Sequence, residues 1–165
     1  MKAKSFFSIF LLMAAVPLLL AFVVLKMGWF TPGATNKGEF VQQEISLVLP
    51  HKRPTWSIVF QPSNQCDQLC MEQLYSLNQT YVALGKLQKR VNAFVLNTKT
   101  DISQYSHLNH NEANSDLLSD NHIYLVDPFG KVILQYAGST DRQSTIQTSK
   151  DIIADVKKLL NYARV

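Results

Sequence analysis

The chain has 165 residues, enough for one domain of ordinary size and a short attachment. With 47% hydrophobic and 10% aromatic residues it can fill a core, which excludes a wholly disordered protein. The net charge of +4 is not spread along the chain, because Lys2, Lys4 and Lys26 flank one apolar run and all twelve acidic residues lie at or beyond Glu39. The thirteen other basic residues nearly balance the acidic ones, so we predict no nucleic-acid partner.

An uncharged apolar run, FFSIFLLMAAVPLLLAFVVL, occupies residues 6–25. Its length matches the roughly 20 residues that a helix needs to cross a hydrocarbon core about 30 Å thick. A cleaved signal peptide has an apolar region of only about 7–15 residues and a small-x-small cleavage site, which this run lacks. We therefore predict a retained membrane anchor at 6–25. Residues 1–5 are expected in the cytoplasm, because more positive charge precedes the run than follows it directly.

The rest of the chain is predicted to form a tether and one domain. Residues 26–39 are assigned to the juxtamembrane tether, because TPGATNKG at 31–38 carries Pro, Gly and small polar residues. The domain is assigned to residues 40–165. Its first clear strand is WSIVF at 56–60, which a turn follows. A helix is predicted over 66–90, because residues at spacings of three and four share one face: Cys66, Cys70, Leu74, Leu77, Tyr81 and Leu84.

The remaining pattern alternates short apolar strands with polar connections. A second strand is predicted at 91–96, followed by a polar loop at 99–121 with room for one or two helical turns. A hairpin follows, with strands at 123–126 and 132–136 and a turn at 127–130. The last element is a helix, for which Ser149 is the expected N-cap and Asp151 lies in the first turn. This order predicts an α/β thioredoxin-like fold, a central sheet flanked by helices, behind one transmembrane helix.

Cys66 and Cys70 are the two cysteines of the chain, and they stand where a strand turns into a helix. A helix N-terminus favours a thiolate, which is both the nucleophile of disulfide exchange and a ligand for soft metal ions. At regular i, i+4 helical spacing the Cβ atoms lie about 5–6 Å apart, whereas a disulfide needs about 3.5–4.5 Å. Cys66 is therefore expected on the turn ahead of regular helix if the pair oxidises easily, and to be the more acidic and more exposed thiol. A stabilising disulfide and two buried inert thiols are the alternatives.

Two stretches, TWSIVFQPSNQCDQLC and IYLVDPFGKVILQYAG, resemble the redox-motif and hairpin segments of the Sco (SenC) family. Those are membrane-anchored thioredoxin-fold proteins that help to assemble the copper A centre of cytochrome c oxidase. The layout is also similar to a membrane-bound thioredoxin-like protein associated with cytochrome oxidase assembly genes in proteobacteria, through ALGKLQKRV, VDPFGKV and DIIADVKKLL. The resemblance implies that Cys66 and Cys70 are the catalytic residues and copper ligands. It also implies that an oxidase subunit or another copper or thiol acceptor is the partner.

This sequence departs from the Sco pattern at three positions. Asp67 and Met71 follow the two cysteines, where Sco proteins normally have Pro. Ser119 stands where those proteins have a copper-ligating His, and the nearest histidine is His122. His122 is the candidate third metal ligand, because in a thioredoxin-like fold the loop before this strand packs beside the cysteines. We interpret three other histidines as solvated surface residues: His51, His107 and His110. Asp127 is interpreted as a turn-forming residue, and Glu72 as a charge that stabilises the positive N-terminal end of the helix.

The function that the resemblance implies is assembly of a respiratory oxidase in the bacterial inner membrane, with the C-terminal domain in the periplasm. The protein would handle copper, the thiol redox state of its acceptor, or both. One alternative is a general periplasmic thiol-disulfide oxidoreductase without a metal role. The other is a non-catalytic scaffold whose cysteines form a permanent disulfide. Whether the protein is an enzyme depends on which of these holds.

Overall fold

The computed structural model describes residues 3–28, 35–50, 55–113 and 116–162. Helix α1, Ala3–Lys26, contains Pro17. Its segment Phe6–Lys26 is long and apolar enough to cross a membrane, and none of the most apolar part is buried inside the protein. The helix predicted at 6–25 is therefore present. Residues 29–34 of the predicted tether lie outside the described residues, and the chain from Asn36 onward forms its own compact unit.

One six-stranded mixed sheet organises this second unit. Its strands in chain order are β1 Glu39–Phe40, β2 Trp56–Gln61, β3 Val91–Leu96, β4 Asn109–Asn111, β5 His122–Val126 and β6 Val132–Ala137. Their spatial order is β1-β6-β5-β2-β3-β4. β2, β3 and β4 run parallel, and the remaining neighbours pair antiparallel. The helices are α2 Gln68–Ala83, a 3₁₀ helix at Gly85–Arg90, and α3 Arg142–Tyr162. This is the thioredoxin-like α/β arrangement that the sequence predicts.

The two faces of the sheet are covered differently. On the face that we call the helix face, Phe60 and Ile123 pack in one core with residues of α2 and α3 such as Leu74 and Ile152. On the opposite face, which we call the loop face, Tyr124 packs with residues from the segment between β1 and β2 and from other strands: Ile45, Leu47, Leu49, Val59 and Val132. Because both faces are covered, the central strands read as continuous apolar runs.

The strands predicted at 56–60, 91–96, 123–126 and 132–136 are confirmed to within one residue at each end. The single helix predicted over 66–90 is wrong at both ends. α2 begins at Gln68 and ends at Ala83, because Gly85 adopts a φ of +55° and the chain continues as a 3₁₀ helix.

Two other predictions need correction. The stretch 99–121 contains strand β4, whose three polar residues at the sheet edge carry no apolar alternation. α3 begins at Arg142, where the Asp141 carboxylate accepts a 2.7 Å hydrogen bond from the Ser144 backbone N–H. Ser149 therefore lies inside the helix and is not its N-cap. Its hydroxyl contacts that of Ser76 on α2 at 2.9 Å.

A buried carboxylate joins the end of the predicted tether to the domain. Asp155 on α3 is 2% exposed and accepts hydrogen bonds from the backbone N–H groups of Lys37 and Gly38, at 2.8 and 2.9 Å. It also accepts a 2.7 Å hydrogen bond from the Tyr136 hydroxyl on β6. Residues 37 and 38 thus pack with the domain, although their composition is typical of a tether.

Candidate redox site

The cysteine pair lies at the connection between β2 and α2. β2 ends at Gln61, and α2 begins at Gln68, so Cys66 stands on the turn and Cys70 in the first turn of the helix. The two residues form a disulfide, with their Cα atoms 5.1 Å apart. Because Cys66 precedes the regular helix, the two cysteines lie closer together than helical i, i+4 positions would place them. The sequence predicts this position for Cys66 if the pair is to form a disulfide.

Asp67, between the two cysteines, is the N-cap of α2. Its backbone is extended, and its carboxylate accepts a 3.0 Å hydrogen bond from the Cys70 backbone N–H. A negative charge therefore lies at the helix pole, where it opposes formation of a thiolate on the neighbouring Cys66. In the sequence, Asp67 stands out only as a departure from the Sco motif. The strong N-cap preference of Asp just before a helical pattern was the signal that could have revealed this role.

The two sulfur-bearing residues differ in accessibility. Cys70 is fully buried in the core on the helix face, among residues such as Leu74 and Phe60. Cys66 is only half-buried and packs against the border of that core. Cys66 is therefore the residue that an approaching reactant can contact, in agreement with the expectation that it is the more exposed of the two.

Asn121 holds the loop before β5 against the cysteine-bearing connection. Its backbone N–H donates to the Gln61 carbonyl at 2.7 Å, and its side-chain oxygen accepts from the Ser63 N–H at 3.3 Å. Its carbonyl accepts from the Gly138 N–H at 3.0 Å. The φ of Asn121 is +56°, a conformation that Asn tolerates better than most residues. Asn121 cannot be recognised from the sequence, because a polar residue in a polar loop carries no distinguishing pattern.

The structure does not bring His122 to the cysteines. His122 pairs with Gln61 of β2, and side chains alternate faces along a strand, so His122 lies on the loop face with Tyr124. The two rings stack with centroids 6.2 Å apart, and Nδ1 of His122 contacts the Asp120 carbonyl oxygen at 2.8 Å. Cys70 packs on the helix face with Ile123. Over the described ranges, no group of three or more His, Cys, Asp or Glu residues could hold a metal ion.

The other polar candidates lie away from the disulfide or have structural roles. His107 is exposed, with its ring centroid 5.7 Å from that of Tyr81, and His110 is exposed on the edge strand β4. The Asp127 carboxylate accepts from the Phe129 and Lys131 backbone N–H groups at 2.8 and 2.9 Å, which confirms its turn role. His51 lies outside the described residues. The site therefore consists of Cys66, Cys70, the capping carboxylate and the Asn121 brace.

The part of the chain that carries this site matches a known protein family. A family model described as "Transmembrane-like, thioredoxin-like, C-terminal domain" matches residues 56–163, about two thirds of the chain. The chain belongs to this family. The match begins at the first residue of β2 and runs through α3, so it contains both cysteines and the helix face of the domain. No curated protein matches the chain.

Solved structures that are similar to this chain include members of the Sco family and a putative thiol:disulfide interchange protein. Apo Sco1 from Thermus thermophilus is 13% identical, with a TM-score of 0.50 over 79% of this chain and 100% of that chain. ScoI from Bradyrhizobium japonicum with copper bound is 17% identical, with a TM-score of 0.45 over 64% and 85%. A putative thiol:disulfide interchange protein DsbE from Chlorobium tepidum is 14% identical, with a TM-score of 0.44 over 73% and 98%. At these identities the likeness concerns the fold.

Proposed function

We propose that this member of the transmembrane-like, thioredoxin-like family is a membrane-anchored assembly factor for cytochrome c oxidase. In this proposal it exchanges disulfides with, or delivers copper to, an acceptor through Cys66 and Cys70. The observation that carries the proposal is the placement of the pair, with an accessible Cys66 on the turn and a buried Cys70 in the first turn of α2. A nucleophilic sulfur and a protected resolving sulfur are the parts that disulfide exchange needs.

The exchange reaction balances in two steps. In the reduced protein, the Cys66 thiolate attacks one sulfur of an acceptor disulfide, and the second acceptor sulfur leaves as a thiolate. The Cys70 thiolate then attacks Sγ of Cys66 in the mixed disulfide and releases the first acceptor sulfur. Two electrons pass to the acceptor, whose thiolates take up the two protons lost by the cysteines. A dithiol donor must then reduce the Cys66–Cys70 disulfide, which is the form seen here.

In this proposal copper is a cargo that the protein delivers, and the two cysteine thiols are the ligands that suit it. Soft thiolates suit Cu(I), and two of them can hold this ion between neighbouring residues. His122, the predicted third ligand, lies on the loop face of the sheet, so the protein's own contribution is limited to Cys66 and Cys70. This placement favours the second candidate, a thiol-disulfide oxidoreductase without a metal role, over a three-ligand copper site.

Membrane attachment and compartment belong to the same proposal. α1 supplies the anchor, and the charges around residues 6–25 favour a cytoplasmic N-terminus. The domain then lies in the periplasm, where a disulfide is chemically stable. The resemblance of the cysteine and hairpin segments to Sco proteins supports an acceptor among the subunits of the oxidase.

The redox state of the pair tests the proposal. We expect the full chain, equilibrated in lipid nanodiscs with dithiol redox buffers, to interconvert reversibly, with a midpoint potential above about −300 mV. Alkylation of free thiols followed by mass measurement gives the reduced fraction. A pair that stays oxidised under strongly reducing conditions identifies a permanent structural disulfide and contradicts the exchange function.

The capping carboxylate gives a second test. In the reduced full chain, Asp67→Asn removes one negative charge beside Cys66 and keeps an equally good N-cap, so α2 remains intact. We expect the pKa of the Cys66 thiol to fall, because the adjacent residue no longer carries a negative charge. Its alkylation rate at pH 7 should rise by roughly threefold or more. Glu72→Gln, a charge removal one turn further into α2, is the control. An unchanged or slower rate in Asp67→Asn contradicts this role.

A further inference from the structure

An open groove of about 710 Å³ runs between α2 and α3, on their outer side. Its apolar lining includes Met71 and Tyr75 from α2 and Ile146 and Ile153 from α3. Tyr75 is 60% exposed and Ile146 is 47% exposed, so the groove presents large apolar side chains to solvent. No described residue of this chain fills it. We call this surface the α2–α3 groove.

The α2–α3 groove begins on the helical turn that carries Cys70. Gln68 and Met71, which line its first part, belong to the same helical turn as Cys70. The lining continues along α2 to Ala83, and the fifteen residue steps from Gln68 to Ala83 correspond to about 22 Å. A protein segment that reaches Cys66 can therefore extend directly into the groove.

The charged residues of the α2–α3 groove indicate which charge a bound segment should have. Arg142 and Lys150 line the α3 side, and neither has an ion-pair partner in the described part of the chain. Glu72 is the acidic lining residue, and its carboxylate already accepts a hydrogen bond from the Gln68 amide. The groove thus has an excess of positive charge. A second copy of this surface would bring the same excess, whereas an acidic partner would complement it.

We propose that the α2–α3 groove binds an apolar segment with acidic residues, located beside the reacting cysteine of the exchange partner. The inference rests on the proposed function, because the partner's cysteine brings this segment to Cys66. Apolar side chains of the segment cover Tyr75 and Ile146, and its carboxylates contact Arg142 and Lys150. The groove then selects the partner, while the sulfur chemistry itself remains at the cysteine pair.

A binding experiment without any exchange tests the groove. The probe is a fluorescent 14-residue peptide that contains Leu and Glu and no cysteine, and the matched peptide has Lys in place of Glu. Fluorescence anisotropy is measured with the oxidised full chain in nanodiscs of zwitterionic lipid. We expect Ile146→Glu to weaken binding of the acidic peptide at least tenfold. We also expect Arg142→Glu with Lys150→Glu to reverse the preference between the two peptides.

Phe129→Glu is the matched control, because Phe129 is 90% exposed on the turn between β5 and β6 and does not line the groove. It should bind the acidic peptide like the wild type. Circular dichroism identifies any variant that fails to fold, and Tyr75→Ser then replaces Ile146→Glu. Equal binding of both peptides to the wild type overturns the proposal, as does unchanged binding to the folded groove variants. Concentration-dependent self-association that Ile146→Glu abolishes also overturns it, because the occupant is then a second copy.

The groove and the proposed function can fail separately. If the cysteine pair cannot be reduced but the acidic peptide binds as expected, the exchange function falls and the groove remains a peptide site. If dithiothreitol reduces the pair reversibly but the acidic peptide does not bind, the exchange function stands and the groove inference falls. Both arms use the same full chain in the same nanodiscs.

Discussion

Cys66→Ser is expected to abolish disulfide exchange and to lower Cu(I) affinity by orders of magnitude, whereas His122→Ala is expected to weaken Cu(I) binding less than about tenfold, or ~1.4 kcal/mol. Serine at position 66 removes the accessible sulfur and leaves one buried thiol, which cannot hold a soft ion between two residues. His122 lies across the sheet from that sulfur, with its ring stacked on Tyr124. The two variants therefore separate a two-thiol site from a site with three ligands.

The measurement uses the reduced full chain in nanodiscs, titrated with Cu(I) in competition with a chelator of known affinity. The same samples are assayed for exchange with a small disulfide. Cys70→Ser is the matched control, since it retains the accessible Cys66 and allows the mixed disulfide to form but not to resolve. If His122→Ala loses copper as completely as Cys66→Ser, the loop before β5 must rearrange toward the helix face. If the wild type binds no Cu(I), the protein is better described as an oxidoreductase without a metal role.

Asp155→Ala is expected to destabilise the domain by about 3–4 kcal/mol. The substitution removes a buried carboxylate and leaves three donors without a partner, namely the Tyr136 hydroxyl and the backbone N–H groups of Lys37 and Gly38. Burial, followed by the neighbouring Asp155 carboxylate, raises the pKa of Tyr136 above its ordinary value, so its hydroxyl remains a donor throughout the physiological range. Tyr136→Phe removes only one of the three hydrogen bonds and should cost about 1–2 kcal/mol.

Thermal unfolding of the full chain, followed by circular dichroism, measures the effect, and we expect the melting temperature of Asp155→Ala to fall by roughly 10 °C. Asp151→Ala on the same helix is the control, because its carboxylate accepts one exposed hydrogen bond from Gln147. A melting temperature within a few degrees of that control would show that the Asp155 cluster does not hold residues 37 and 38 to α3.

Several features of this protein follow from the sequence alone, because their signals are local. An uncharged apolar run of twenty residues predicts a helix that spans a membrane and is not buried in a small domain. α1 is a helix of this length and composition. Short apolar runs bounded by turn residues located β2, β3, β5 and β6 to within one residue. Two cysteines after a strand and before a helical pattern placed the sulfur pair at a helix N-terminus.

Other features required the tertiary structure. β1 and β4 are short edge strands, and their pairing depends on backbone hydrogen bonds to β6 and β3 that no apolar pattern announces. The first two turns of α3 are almost wholly polar, so the apolar pattern predicts a helix that begins later in the chain than α3 does. Asp155 acquires its role from groups more than a hundred residues earlier in the chain.

The position of His122 is a further feature that only the tertiary structure determines. The strand HIYLV continues from His122 as an uninterrupted apolar run, because both faces of the sheet are covered, so its pattern does not indicate which residues face α2. The register with Gln61 of β2 decides this and puts His122 on the loop face and Ile123 on the helix face. The sequence determined that Cys66 and Cys70 stand together at the start of a helix. Only the pairing of the strands determined that His122 lies across the sheet from them, because side chains alternate faces and a register shift of one residue would exchange them.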